Sequence, residues 1–345
     1  MFSLVAACTD GMDPFGSNEQ EVGGTCSPYF CGNGNSDVVD NMGLHDLNVR
    51  GKVNSTGFWI KSFSKNGIAY EPRVFGAELA ALDASEQVAF AGAGLIGAEF
   101  LVGNTGSGLE YNIQIANVVE SEYWARLDGK VQYATTYELK WKTSTNNRYE
   151  NVCINPPPAG HDDLRGGQPP FSAVLFEGDR IDKDKKELGT RLEDDWFNIG
   201  CMGHALAKLH LTGHTEGAKR QRKFETVRTE RQTFLRMIVA DYCGVGRPFT
   251  IAGQPLDYKN SSKTIEYLSH NPLTIEARWG KDGATCLNIP RLEANPSDAA
   301  KEAFPEGVLA AMARTHGCVI PPPCVPESVE DFAGQYLISA NPQLP

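Results

Sequence analysis

The sequence has no apolar run approaching the roughly eighteen residues that a membrane-spanning helix needs, so no such helix is expected. No large basic block offsets the formal net charge of −11, and this surface would repel phosphate backbones, so nucleic acid is a poor partner. Neither G-x-S-x-G nor H-E-x-x-H occurs, which weakens two common hydrolase interpretations without excluding others.

Zinc coordination is the rival use of cysteine, but the sequence contains no C-x-x-C pair and its cysteine spacings resemble no zinc finger. Nine cysteines are nevertheless present in the 345 residues. Structural disulfides are therefore the favoured use of most of them.

The first cysteine, Cys8, ends the run Leu4-Val5-Ala6-Ala7-Cys8, which resembles a bacterial lipobox. In a lipobox the peptide is cut before the cysteine, whose thiol then carries diacylglycerol. Seven residues are too few for both a charged and an apolar signal region, so either translation starts further upstream or the leader has been trimmed. In the alternative interpretation, Cys8 is an ordinary thiol near a disordered start.

The other eight cysteines are an even number, which suggests pairing in an oxidising compartment. Cys26 with Cys31, and Cys318 with Cys324, are separated by short loops that a tight turn could close. The connectivity of the other four stays open, and by default they would tie the second half of the chain together. The eight positions are Cys26, Cys31, Cys153, Cys201, Cys243, Cys286, Cys318 and Cys324.

Composition divides the chain into five regions. Residues 1–43 are predicted to be a leader remnant and polar tether, 44–150 a β-rich domain, 151–170 a Pro/Gly-rich linker, 171–325 an α+β module, and 326–345 a tail. The predicted fold class is thus α+β, with a β-rich sandwich or small barrel followed by a disulfide-braced α+β module.

Period-two patterns predict strands at 58–63, 111–115 and 131–141, where successive side chains would face opposite sides of a sheet. In the second module, 172–176 is a short apolar strand. Helices are predicted from Asp194 to about Leu211, from Thr229 with a Thr-x-x-Gln capping box, and from Glu306 to Thr315. Residues 273–287 are predicted to form a hairpin that turns at Asp282-Gly283.

The tetrapeptide Ala240-Asp241-Tyr242-Cys243 resembles the ADYC-domain family of exported bacterial proteins. Other stretches that resemble the family are Asp46-Leu47, Tyr137-Glu138-Leu139, Phe176 to Arg180, Trp196 to Ile199, Ala205 to His210, Cys286-Leu287 and Pro290-Arg291. The resemblance covers about residues 44–325. It implies export and assigns no catalytic residue.

Three polar clusters are candidate sites. His210 and His214 have a spacing that places two side chains on one helix face, but Gly213 is expected to end the helix first, which favours packing over metal binding. Asp179, Asp182 and Asp184 offer oxygen ligands for Ca²⁺, but without EF-hand spacing and among lysines they favour a solvated turn. His210, Asp241 and Tyr242 are the residues to consider for a hydrolase.

Two further motifs are better explained by structural roles than by cofactor binding or catalysis. Gly92-x-Gly94-x-x-Gly97 matches a dinucleotide fingerprint, but turn-rich sequence follows it where a helix would be needed, so a bend between strands is favoured. Cys243 lies near a helix C-terminus, where the dipole disfavours a thiolate, so a disulfide is favoured over a nucleophile. The sequence indicates neither a cofactor nor a metal.

The sequence therefore predicts an exported lipoprotein of the outer membrane or cell surface, anchored through Cys8, with a binding or structural role. Its partner is left open, and a protein partner or self-assembly fits this role. The alternative is a secreted hydrolase with an unrecognised site in the C-terminal module.

Overall fold

The computed structural model describes residues 38–127, 129–153, 171–182, 185–222, 226–251, 254, 256–261, 274–325 and 337–341. Strands dominate the first part of the chain: β1 (Val38–Val39), β2 (Met42–Gly43), β3 (Asp46–Asn48), β4 (Phe58–Lys65), β5 (Ile68–Phe75), β6 (Glu78–Leu82), β7 (Val88–Ala91), β8 (Glu99–Asn104), β9 (Glu110–Glu122), β10 (Tyr133–Thr143), β11 (Glu150–Asn151), β12 (Ser172–Asp182) and β13 (Glu187–Cys201).

Helices and a second group of strands follow. They are α1 (Ala205–Leu211), α2 (Glu216–Arg222), α3 (Arg228–Ile238), β14 (Asp257–Asn260), β15 (Thr274–Gly280), β16 (Gly283–Leu287), α4 (Arg291–Ala294), α5 (Asp298–Ala303), α6 (Val308–Arg314) and β17 (Leu337–Asn341). The α+β fold class is confirmed, as are the predicted strands, the 273–287 hairpin over its described residues, and the helix after Pro305.

An antiparallel sheet of eleven strands, in the order β3-β13-β12-β10-β9-β8-β4-β5-β6-β7 with β11 beside β10, forms the first layer. The hairpin β5–β6 folds back over it: Glu177 N–H donates to Gly76 O at 2.9 Å, and Leu79 N–H donates to the Tyr137 hydroxyl at 2.9 Å. Apolar side chains such as Phe63, Phe100 and Phe197 fill the enclosed core.

The strands on either side of the predicted linker are hydrogen-bonded neighbours, because β10 pairs with β12 at Thr136 and Val174. One sheet thus contains strands from both sides of the predicted linker. Most of that segment, 154–170, lies outside the described residues, as do Cys8, Cys26, Cys31 and the polar tether up to residue 37.

The helices α1 to α3 lie between the large sheet and a second, four-stranded sheet with the order β14-β17-β15-β16. Helices α1 and α2 pack on the large sheet at strands β12 and β13, whereas α3 contacts β15 of the second sheet. Phe176, Leu206, Phe234 and Trp279 from these elements belong to one buried cluster. A second hydrophobic core therefore lies on the other side of β12 and β13.

The predicted helix from Asp194 is wrong: residues 187–201 form strand β13, and the helix starts only at Ala205. Because β13 lies between two cores, all five residues from Trp196 to Gly200 are buried. A strand that is buried on both faces loses its period-two pattern, so its apolar residues can match helical spacing. Asp194 pairs on the surface with Arg220 instead of capping a helix.

The predicted capping box at Thr229 is also wrong, since α3 begins one residue earlier with Val227 at its N-cap. The side chain of Gln232 is buried and joins the helix to the start of β13 and the residue before it. It accepts a hydrogen bond from Leu188 N–H at 2.8 Å and donates one to Lys186 O at 2.9 Å.

Three disulfides join the described cysteines: Cys153–Cys201, Cys243–Cys318 and Cys286–Cys324, with Cα separations of 5.5, 5.0 and 4.8 Å. The expected Cys318–Cys324 pair is therefore wrong. Cys318 is bonded to the half-buried Cys243 after α3, and Cys324 to Cys286 in β16, so the short loop between Cys318 and Cys324 is fastened to the fold at each end.

Candidate functional site

The tetrapeptide Ala240-Asp241-Tyr242-Cys243 forms the turn that follows α3. Ala240 has a left-handed φ of 52°, its N–H donates to Met237 O, and Asp241 N–H donates to Arg236 O. These bonds satisfy carbonyls at the end of α3, as left-handed helix endings commonly do. The first three side chains of the tetrapeptide are buried.

The Asp241 carboxylate is fully buried and organises the loop that follows it. It accepts hydrogen bonds from Val245 N–H at 3.1 Å and Gly246 N–H at 2.8 Å, and it pairs with the Arg236 guanidinium. Burial raises the pKa of Asp241, while Arg236 and the two backbone donors act in the opposite direction. Arg236 also binds Glu187 at the start of β13. The Asp241–Arg236 pair therefore links α3, β13 and the loop.

The Tyr242 hydroxyl lies within a buried ion pair. It donates to Glu276 Oε1 on β15 and accepts from Arg291 N–H at 3.2 Å. The guanidinium of Arg291 binds both Glu276 oxygens, at 2.8 and 3.1 Å, and its Nη2 donates to Met237 O at 2.9 Å. Burial, followed by the charge of Glu276, raises the pKa of Tyr242 well above its ordinary value. The hydroxyl thus serves as a neutral hydrogen-bonding group.

Cys243 and its neighbours fasten this turn to the β15–β16 hairpin. Cys243 is bonded to Cys318, and Ala284 N–H donates to Tyr242 O at 2.8 Å. Gly244 has a φ of 69°, and a Cβ at this position would lie 1.9 Å from Asp282 O. Only glycine fits so close to the hairpin turn. The tetrapeptide is therefore a junction between α3, the hairpin and the segment at 318.

His210 lies in a separate part of the core. Its Nε2 is 2.7 Å from the Tyr123 hydroxyl, its Nδ1 is 2.9 Å from the Thr215 hydroxyl, and its ring stacks on Phe176 with centroids 5.1 Å apart. Both ring nitrogens are therefore occupied by hydroxyl groups. The hydrolase candidates bind different partners: His210 contacts Tyr123, Asp241 pairs with Arg236, and Tyr242 donates to Glu276.

The second histidine of the proposed metal pair has its own partners. His214 Nδ1 lies 2.8 Å from Thr212 O, its Nε2 lies 3.5 Å from a Glu230 carboxylate oxygen, and its ring stacks on Phe234. Its polar contacts are thus distinct from those of His210. Gly213, with a φ of 78°, follows the end of α1 as predicted.

The acidic candidates are also separated. Asp179 is buried, forms an ion pair with Arg231 at 2.7 Å and accepts from Glu216 N–H at 3.1 Å. Asp182 accepts from Lys185 N–H at 2.9 Å at an exposed turn, and Asp184 lies outside the described residues. Within the part of the chain that the structure describes, no three His, Cys, Asp or Glu side chains are grouped to hold a metal ion.

The glycine motif forms a 3₁₀ turn, Gly92–Leu95, which leads into strand β8. This is the expected bend between strands, and it lacks the following helix that binds a pyrophosphate.

Among the helices in the described ranges, none is both long and apolar enough to cross a membrane.

Sequence reasoning missed the two charged residues on which the junction depends. Glu276 occupies the alternate position of a strand whose neighbours Ile275 and Ala277 are apolar, so its pattern indicated a solvent-facing side chain. Arg291 belongs to the stretch Pro290-Arg291, which resembles the family, but the resemblance assigned it no role. Arginine and glutamate are almost never fully buried unless they are paired, and a pair this distant along the chain leaves no local pattern.

We expect the Glu276–Arg291 ion pair to be essential for stability. In Arg291→Met the buried Glu276 carboxylate would lose its counter-ion, which typically costs about 3 kcal/mol or more of unfolding free energy. Urea unfolding followed by tryptophan fluorescence measures this loss. Lys281→Met, which breaks the exposed pair with Asp282, is the control and should change stability by less than about 0.5 kcal/mol.

The double variant Glu276→Gln/Arg291→Met removes both charges and should recover part of the loss. The interpretation fails if Arg291→Met is no more destabilising than Lys281→Met. If Arg291→Met does not fold, recovery of folded protein in the double variant carries the test, and absence of recovery contradicts it.

We also expect stability to fall in mild acid because of His204, which precedes α1. Burial, followed by the charge of Lys208, lowers the pKa of His204 to about 4. The unfolded chain therefore binds this proton first as the pH falls below the ordinary histidine pKa of about 6.5, and the free energy of unfolding decreases. Between pH 7 and 4.5 the loss from this group should be about 2 kcal/mol.

Urea unfolding at both pH values measures this effect, and His204→Gln should abolish it. His316→Gln, which replaces an exposed histidine, is the control and should keep the wild-type pH dependence. An unchanged pH dependence in His204→Gln would contradict the assignment.

Comparison with known proteins agrees with the motif. The family model of the ADYC domain matches residues 92–293, a span that starts at the turn before β8 and ends in α4. No curated protein and no solved structure matches the chain. Because the family model covers more than half of the chain, the protein belongs to the ADYC-domain family.

Proposed function

We propose that the protein is an exported bacterial surface lipoprotein with a binding or structural role, anchored through a lipid on Cys8. The observation that carries the proposal is the set of three disulfides in the described residues. Disulfides persist in oxidising compartments and are reduced in the cytosol. One of them uses the cysteine of the family tetrapeptide, so the cross-link belongs to the junction itself.

The anchor rests on the N-terminal sequence. Leu4-Val5-Ala6-Ala7-Cys8 has small residues immediately before the cysteine, as a lipoprotein cleavage site requires, and the polar sequence up to residue 37 suits a tether to the fold, which begins with β1 and β2. A single acyl chain binds membranes only weakly, whereas the two chains of a diacylglycerol supply a stable anchor.

The binding or structural role is favoured by how the conspicuous polar residues are used. His210, Asp241 and Tyr242 are buried, and other protein groups occupy their hydrogen-bonding atoms. A hydrolase that used them would first have to break these bonds and admit water, at the cost of unpaired buried groups. A stabilising role needs no such rearrangement.

Intact mass of the protein from native membranes tests the proposal. We expect diacylglycerol on Cys8 and a mass increase on reduction and alkylation that corresponds to at least three opened disulfides. Metabolic labelling with an alkyne fatty acid should mark the wild type but not Cys8→Ser. Cys31→Ser, which removes a different thiol, should keep the label. An unlabelled wild type with alkylatable thiols before reduction would contradict the proposal.

A further inference from the structure

The residues from Cys318 to Cys324, here called the strap, have an unusual composition. Three consecutive prolines and two aliphatic residues lie between the cysteines, in the sequence Cys-Val-Ile-Pro-Pro-Pro-Cys, and no charged residue occurs from 317 to 325. Proline fixes φ near −65° and restricts the residue before it to extended conformations. The strap is therefore biased towards polyproline II geometry before any partner binds.

The strap is fastened to the fold at both ends. Cys318 is bonded to Cys243 of the family tetrapeptide and Cys324 to Cys286 of β16. Between and beside these cross-links, Leu287 N–H donates to Pro322 O at 2.9 Å, and Cys324 N–H donates to the Asn288 side chain at 2.8 Å. One edge of the strap is thus held against the end of β16.

The other side of the strap presents aliphatic surface to solvent. Val319 is 80% exposed, Ile320 42% and Val325, the next residue after the strap, 83%. Two more exposed aliphatic residues adjoin it. Val245 lies 3.7 Å from the position of a Cβ on Gly317, and Ile289 follows Asn288, which binds the strap.

Soluble monomers rarely expose several adjoining aliphatic side chains without a function, because such a patch lowers solubility. The residue types of the strap indicate which kind of partner could cover this patch: a membrane surface, a second β-strand or a groove in another protein. Membrane-surface segments combine aromatic or long apolar residues with lysine and arginine, and neither aromatic nor basic residues occur in the strap. Its prolines carry no N–H group, so the Pro-Pro-Pro run cannot continue a β-ladder with a second strand. Preformed polyproline segments bind grooves lined with aromatic side chains.

We propose that the strap is a docking site for a partner protein with an aromatic-lined groove. This inference rests on the proposed surface location and names the kind of partner for the binding role. The two disulfides and three prolines reduce the conformational entropy that the strap would lose on binding, which is the usual advantage of a preorganised ligand. The side chains of Val319 and Val325 are the expected anchors.

Photocross-linking in native cells tests this inference. Benzoylphenylalanine is placed at position 319 or 325, and, as a matched control, at 53, where the valine is 50% exposed on the β-rich part of the chain. We expect a covalent adduct with another protein from 319 and 325 but not from 53, with the cross-linked peptide of that protein containing aromatic residues. Adducts only with lipid, only with a second copy of this chain, or equal at all three positions would overturn the inference.

The cross-linked protein is then purified and its affinity for the full chain is measured. Val319→Asp should weaken binding roughly tenfold or more, as expected for an anchor residue, whereas Val53→Asp should leave the affinity unchanged. Equal affinities of the two variants would overturn the inference. Every variant is also tested for the acyl label on Cys8, so that loss of binding with retained lipid contradicts the strap alone and loss of lipid contradicts the proposed location.

Discussion

The second module depends on a carboxylate and a guanidinium that are both withdrawn from water. Glu276 and Arg291 are almost completely buried, and such a pair is tolerated only when hydrogen bonds satisfy its remaining polar atoms. Here the Tyr242 hydroxyl and the carbonyl of Met237 complete the set. This requirement fixes the positions of α3, β15 and α4 relative to one another. Displacement of β15 or α4 would separate the two charges, and displacement of α3 would remove the Met237 carbonyl that accepts from Arg291.

The same principle explains why the family tetrapeptide contains these residue types. Asp241 binds the loop after α3, Tyr242 reaches the ion pair, and Cys243 carries a covalent bond to the segment at 318. An alanine, with its small side chain, occupies the buried left-handed position before them. The motif is thus read most simply as a structural junction, and its polar groups point into the protein.

Sequence reasoning was reliable where structure is local. Alternation in β10 and in the β15–β16 hairpin predicted those strands, and Gly213 predicted the end of α1, because each depends on neighbouring residues. It failed for β13, because the end of this strand from Trp196 is buried on both faces and has no period, and for the pairing of Cys318, since loop length says little about which thiols meet. The Glu276–Arg291 pair could not be predicted from the sequence for the same reason, because it forms only when separate segments pack together.

The disulfides and the buried ion pair of the second module together position one surface feature, the strap. Cross-links from the tetrapeptide and from β16 hold the exposed proline segment in place, so the stability of the junction also sets the geometry of that surface. The buried polar groups of the tetrapeptide thus hold the second module together, and under the proposed docking role the exposed aliphatic residues of the strap would contact the partner.

The most direct test of the junction is the disulfide map of the protein isolated under alkylating, non-reducing conditions. Proteolysis and mass spectrometry should identify a peptide in which Cys243 is bonded to Cys318, together with the Cys286–Cys324 and Cys153–Cys201 peptides. A bond between Cys318 and Cys324, or an alkylated free thiol at Cys243, would contradict the central claim.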